Sequence, residues 1–134
     1  MYKTICYKST PSSEVNLMNL VNLFEQSRVN NFRSNISGFI LKKGNNFFQI
    51  MEGYEVEVDK LFAKIKKDPR HTDIIELYND YIPTPVFLNF YTEYSTSDEL
   101  DFKNTMPYLS NYLKKENCVS SKFFLNVLEH IMEE

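Results

Sequence analysis

The spacing of apolar residues changes period along the chain, and each change marks an element. Ile5, between Thr4 and Cys6, opens a short β-prone run that ends near Ser9, where Ser9-Thr10-Pro11-Ser12-Ser13 supplies a turn. Ser12 or Ser13 suits an N-cap and Glu14 the first turn, and Leu17, Leu20, Val21 and Phe24 then recur at helical spacing up to about Asn30. Ile36-Ser37-Gly38-Phe39-Ile40-Leu41 reads as a strand, Lys43-Gly44-Asn45-Asn46 as a hairpin turn and Phe47-Phe48-Gln49-Ile50-Met51 as the antiparallel return. From Glu55 to Lys67, Val58, Leu61, Phe62 and Ile65 fall on one helical face, with Glu57, Lys60, Lys64 and Lys67 on the other. Pro69 closes this second helix, because the residue before a proline is pushed out of the helical region. Ile74-Ile75-Glu76-Leu77-Tyr78 and Phe87-Leu88-Asn89-Phe90-Tyr91 read as two further strands on either side of a Pro83-Thr84-Pro85 turn.

The order β-α-β-β-α-β-β predicts an α+β domain of the ferredoxin-like type, a five-stranded mixed sheet with two helices on one face. After Ser95-Thr96-Ser97-Asp98 the period turns helical again, through Leu109, Tyr112 and Leu113 and then Phe123, Phe124, Val127, Leu128 and Ile131. A sheet covered on one face needs cover on the other. Residues 1–97 are therefore expected to form the main domain, and residues 98–134 a C-terminal helical extension that packs on the sheet or meets a partner.

Composition narrows the function. At 134 residues and 43% hydrophobic content the chain is the size of one domain, with room in its core for a ring-sized ligand. Fifteen Lys and Arg against 18 Asp and Glu give a net charge of −3, which argues against a general nucleic-acid clamp. No stretch reaches the roughly 18 apolar residues of a membrane span, and the N-terminus lacks the apolar run of a signal peptide. Cys6 and Cys118 form neither a CxxC nor a Cys/His cluster. The expectation is a soluble cytoplasmic protein without a disulfide framework or a metal site.

Conventional catalytic arrangements are scarce. Gly38, Gly44 and Gly53 are the only glycines, which excludes a Walker loop and a dinucleotide-binding GxGxxG. His71 and His130 lie near no nucleophile motif or second metal ligand. The polar anomaly is Gln49, in mid-strand with Phe47 and Met51 on its own face, where an unpaired amide costs about 1–3 kcal/mol. It faces solvent, bonds a neighbouring strand or faces a bound polar ring. Tyr7 shares a face of the first strand with Lys3 and Ile5, and either fills the core or rim or reaches the Gln49 amide. Asn30 and Asn31, at the end of the first helix, serve as a cap or grip the edge of a heterocycle. Asp68, Arg70 and His71 form a solvated helix terminus or a phosphate-contacting loop.

In order along the chain, several segments together resemble the BLUF family of flavin-binding blue-light sensors. They are Ile5-Cys6-Tyr7-Lys8-Ser9, Asn30-Asn31 followed by Ile36-Ser37-Gly38-Phe39-Ile40-Leu41, Phe47-Phe48-Gln49-Ile50-Met51-Glu52-Gly53, Val58-Asp59-Lys60-Leu61-Phe62 and Asp68-Pro69-Arg70-His71. The resemblance covers about residues 1–95 without a large gap. It implies a non-covalently held flavin, FAD, with its ring between the two helices against the sheet. By position it makes Tyr7 the phenol that donates an electron and a proton to the photoexcited flavin, and Gln49 the amide between that phenol and flavin N5 and O4. Asn31 would bond the O4/N3 edge and Asn30 the neighbouring polar edge. Lys64 stands where many members carry Arg, and Asp68, Arg70 and His71 would assist at the ring or phosphate side. A glutamine suits the switch because its amide carries both donors and an acceptor, so rotation or tautomerisation rewires the network without moving a charge. The Trp-x-Met that many members carry near the end of the last strand falls here on Phe90-Tyr91-Thr92, which assigns signal relay to Phe90 and Thr92 in a chain with no Trp.

The function so implied is a short stand-alone blue-light sensor that binds FAD, catalyses no net reaction and signals to a protein effector supplied in trans. The segment after Asp98 would serve that output or homo-oligomer formation, with no nucleic-acid or membrane partner. Two alternatives stand beside it. One is a light-silent BLUF-like interaction scaffold, which the altered last strand keeps open. The other is an acylphosphatase-type ferredoxin-like enzyme, disfavoured because Ser9-Thr10-Pro11-Ser12 lacks a Gly-rich, Arg-bearing phosphate cradle.

Overall fold

The computed structural model describes residues 1–12, 26–27, 29–43, 46–83, 85–86, 93–96, 102–116 and 119–133. Four strands, β1 (Tyr2–Pro11), β2 (Ser37–Lys43), β3 (Asn46–Tyr54) and β4 (His71–Tyr81), form an antiparallel sheet in the order β4-β1-β3-β2. A short strand, β5 (Glu93–Thr96), lies parallel along the outer edge of β2. Since β3 is antiparallel to both β1 and β2, those two run parallel with β3 inserted between them, the split βαβ arrangement that requires a crossover from β1 to β2. The described end of the crossover helix, α1, comprises residues 26–27 and 29–33. α2 (Glu55–Lys66), α3 (Phe102–Glu116) and α4 (Val119–Glu133) complete the order.

α1 ends in a Schellman motif. Asn35 takes the left-handed conformation at φ 56°, its N–H donates to Phe32 O at 3.2 Å and the N–H of Ile36 donates to Asn31 O at 2.8 Å. The capping conformation thus belongs to Asn35, not to Asn30 or Asn31, which stay in the last helical turns. The β2–β3 hairpin follows from alternating apolar residues, and its closeness demands a glycine. At Gly38, φ 152°, a Cβ would lie 1.9 Å from the Ile50 carbonyl oxygen.

Period two sorts the strand residues to two faces. Ile5, Tyr7 and Met51 join Ile36, Val58 and Phe62 in a cluster under α2. Cys6, Phe39 and Leu41 point the other way and pack with Val86, with Leu109 and Leu113 of α3 and with Phe124 and Leu128 of α4. The C-terminal segment forms two helices, and both lie against the face opposite α2.

Three strands differ from the sequence reading. β1 runs on to Pro11 through residues read as a turn, because it stays paired with β4 as far as His71. β4 extends from His71 to Tyr81 instead of Ile74 to Tyr78, because it pairs with β1 through two irregularities. Cys6 pairs with Tyr78 while Tyr7 pairs with Glu76, which leaves Leu77 as an extra residue. Asp73, at φ 53°, sits in the second bulged stretch. Glu93–Thr96, not among the strands read from the sequence, forms β5. The body of the first helix, the hairpin residues 44 and 45, and the segment Phe87–Tyr91 with the relay residues Phe90 and Thr92 lie outside the described residues.

Candidate functional site

The register of β1 on β3 sets Tyr7 directly opposite Gln49. Each is 5% exposed, and the Tyr7 hydroxyl donates to Gln49 Oε1. Gln49 therefore does not face solvent. Burial, with lesser contributions from Cys6 and Asp68, pushes the Tyr7 phenol well above the ordinary tyrosine range, so it keeps its proton and acts as the donor. Phe62 of α2 packs against the Tyr7 ring at a centroid distance of 5.6 Å, and His71 meets it edge-on at 6.1 Å. The phenol is thereby fixed from both sides.

The eight ligand residues named from the sequence, Tyr7, Asn30, Asn31, Gln49, Lys64, Asp68, Arg70 and His71, all line one cavity of about 410 Å³ between the end of α1, α2 and the sheet. Its walls include Ile36, Ile40, Phe47, Leu61 and Ile65, and its polar lining adds residues the sequence reading did not single out, Gln26, Ser27, Ser34, Glu57 and Lys60. Gln26, Ser27 and Ser34 flank the asparagines at the end of α1, and Lys60 precedes Lys64 by one helical turn, so proximity to Asn30 and Lys64 was the available signal. Asn31 is buried, while Asn30, Lys64 and Arg70 are exposed at the margin.

His71 is the first residue of β4, not part of a helix terminus. Its Nε2 lies 2.8 Å from the Ile65 carbonyl oxygen and its Nδ1 lies 2.9 Å from Ser9 Oγ. A carbonyl only accepts, so Nε2 carries the proton, and in the neutral ring Nδ1 accepts from the Ser9 hydroxyl. This ties β1 to the last turn of α2, where Ile65 O also accepts from the Asp68 N–H at 3.1 Å and Pro69, four residues on, has no N–H to offer. Ser9 is fully buried and was missed, since it lies 62 residues from its partner and reads locally as a turn residue. Arg70 grips Asp68 through Nε, 2.9 Å from both carboxylate oxygens, and through its backbone N–H, 2.9 Å from Oδ1. These bonds hold the Asp68 carboxyl below its usual range. Burial raises the Cys6 thiol to about 12, on the face away from the cavity.

The donor set fits a planar heterocycle with polar edges. A volume of this size falls within the range of roughly 300–1,000 Å³ typical of ligand clefts. Apolar walls suit the faces of a ring, and the amides of Asn30, Asn31 and Gln49 offer donors and acceptors to its edge. Most telling, Gln49 Oε1 is taken by Tyr7, whereas no group among the described residues accepts from its buried Nε2. An unpaired buried amide N–H is costly, and a ligand acceptor at the cavity would satisfy it. In the described part of the first loop the Ser12 N–H donates to Arg70 O at 2.9 Å, so it is not open to a phosphate. Among the described residues no cluster of metal-ligating side chains occurs, and no helix is long and apolar enough to cross a membrane.

Comparison with known proteins bears on the same residues. Residues 2–93 match the sequence model of BLUF, "Sensors of blue-light using FAD". The blue light- and temperature-regulated antirepressor BluF of Escherichia coli (strain K12) is 32% identical over 87 residues, which make up 65% of this chain and 22% of that protein. Photoactivated adenylate cyclase subunit beta of Euglena gracilis is 39% identical over 72 residues, 54% of this chain and 8% of that one. The chain thus spans under a quarter of the length of these curated relatives. The dark-state structure of BlrB, a BLUF protein, superposes with a TM-score of 0.73 at 25% identity, covering 97% of this chain and 94% of that one. With the match running through the cavity strands and both of its helices, the chain belongs to the BLUF family of blue-light sensors, a flavin-binding family.

Proposed function

We propose that this chain is a short blue-light receptor that binds FAD in the cavity between α1 and α2 and acts on a separate protein. The observation that carries the reading is Gln49, buried and bonded through Oε1 to Tyr7, with its amide N–H groups unpartnered among the described residues at the cavity. Bound flavin would supply blue-light absorption and an excited state able to take an electron.

The chain's own residues do the rest. Tyr7 holds its proton at Oη and directs it to Gln49, and Phe62 and His71 keep the phenol in place. A half-turn of the Gln49 amide exchanges an acceptor for a donor at both of its ends without moving net charge. Asn30 and Asn31 orient the polar edge of the ring, while Ile36, Ile40, Leu61 and Ile65 exclude water. Lys64, Asp68, Arg70 and His71 assist at the ring or phosphate side. Residues 1–97 form the flavin-binding unit, completed as a ferredoxin-like five-stranded sheet with two helices on one face. Phe90 and Thr92 relay the change, and residues 98–134 carry it to a cytoplasmic effector or to a second copy of the chain. The chain itself works as a sensor rather than an enzyme.

The absorption spectrum of the purified, FAD-reconstituted protein tests this. A yellow protein whose absorption shifts reversibly to the red under blue light is expected, with Tyr7→Phe keeping the flavin and losing the shift. A colourless protein that FAD does not reconstitute would sink the reading. A yellow protein without a shift would favour the light-silent scaffold.

A further inference from the structure

Among the described residues, the face opposite the cavity holds one buried acid that the switch does not use, Glu52. Glu52 lies three residues beyond Gln49 on β3, about 10 Å along a strand that rises roughly 3.4 Å per residue. Period two turns it away from the cavity, toward the face that α3 and α4 cover. It is 0% exposed. Its Oε2 accepts from the backbone N–H of Val86 at 3.1 Å, and its Oε1 lies 3.4 Å from the donating Ser37 hydroxyl of β2. The same Val86 accepts at its carbonyl from the hydroxyl of Tyr112 on α3. Its side chain, 2% exposed, packs in one cluster with Leu109 and Leu113 of that helix. The backbone at Val86 is therefore gripped from both sides, at its N–H by β3 and at its C=O by α3, just before the chain continues toward β5.

Burying a carboxylate is costly unless each oxygen is bonded, and an apolar side chain would fill the same space more cheaply. What the acid adds is a directional tie between a strand and a backbone segment. We propose that Glu52 and Tyr112 are positioning residues for signal output. Through Val86 they link the strand that carries Gln49 to α3, so that a rearrangement at Gln49 alters α3. The proposal rests on the sensor reading above. It makes α3, rather than the outer surface of α2, the first element beyond the sheet to respond to light.

Tyr112→Phe removes one hydroxyl and keeps the ring in its packing, and Glu52→Gln keeps an acceptor for Val86 N–H. Hydrogen–deuterium exchange of residues 102–116, in the FAD-loaded full chain in darkness and under blue light, reads the effect, with the absorption shift recorded on the same samples. The unmodified chain is expected to show a light–dark difference in α3. Tyr112→Phe should keep the absorption shift and lose most of that difference, and Glu52→Gln should retain more of it. A merely structural role would raise exchange equally in dark and light and leave the difference intact. That outcome with an intact shift overturns the proposal alone, as does an unmodified chain that shifts without any light–dark change in α3. Absence of the shift from the unmodified chain overturns the sensor reading and the proposal together.

Discussion

The two faces of the sheet are made by alternate residues of the same strands, yet they hold different kinds of interior. On the cavity side β1 and β3 contribute the buried polar side chains of Tyr7 and Gln49 to the cavity wall, with buried Ser9 behind them bonded to His71. On the other side Cys6, Phe39, Leu41, Leu113, Phe124 and Leu128 close into a dry layer, with Glu52 bonded at its border. That face stabilises the fold mainly through apolar burial, which is insensitive to orientation, with directional bonds added by Glu52, Ser37 and Tyr112. The cavity face keeps directional groups and leaves one of them, the Gln49 amide N–H, unpaired among the described residues, an arrangement that suits a site completed by a ligand. The division teaches that apolar packing and cavity-lining polar groups are carried by opposite sides of a shared backbone.

Substitutions that strike one face and spare the other sharpen this division. The largest expected effect is on the dry side. Phe124 is fully buried, and Phe124→Ala should lower unfolding stability by about 3–5 kcal/mol through lost contacts and a residual cavity, as measured by urea denaturation. The wavelength of flavin absorption in the surviving folded fraction should not change. An equal loss of stability and a shifted spectrum would show that the faces are not separate.

On the cavity side, Ser9→Ala should cost about 1 kcal/mol by removing the hydroxyl donor to His71 Nδ1. Its sharper consequence is looser His71 packing on Tyr7, read as a changed rate of dark recovery. The smallest effect concerns pH. Arg70 lowers the carboxyl pKa of Asp68 in the folded chain, so on acidification the unfolded chain takes up its proton first. The stabilisation is complete above the ordinary carboxylate pKa and is lost as pH falls through the lowered one. The pair is partly exposed, 47% at the Arg70 side chain and 24% at Asp68, and solvent screens it, so Asp68→Asn should only slightly flatten the acid limb of a plot of melting temperature against pH.

Much of this was legible in the chain, and what was not has a physical cause. Alternation in Ile36–Leu41 and Phe47–Met51 with turn residues between them fixes the hairpin, and the apolar stripe with Pro69 bounds α2. Tyr7 and Gln49 could be placed on matching faces by counting in twos, and their pairing rests on register. β4 was read too short because residues added at Leu77 and near Asp73 break the period that defines a strand. β5 was missed because Glu93-Tyr94-Ser95-Thr96 is short and polar and exists by pairing with β2. Glu52 looks like an ordinary surface acid, and only tertiary packing of distant segments shows that it is buried.

The central claim is that the Gln49 amide, fixed by Tyr7, is the switch. The most direct measurement is the light-minus-dark absorption spectrum of FAD-loaded Gln49→Leu, a nearly isosteric change that removes both donor and acceptor. The account predicts bound flavin with no reversible red shift. A normal, reversible shift in that variant would contradict it.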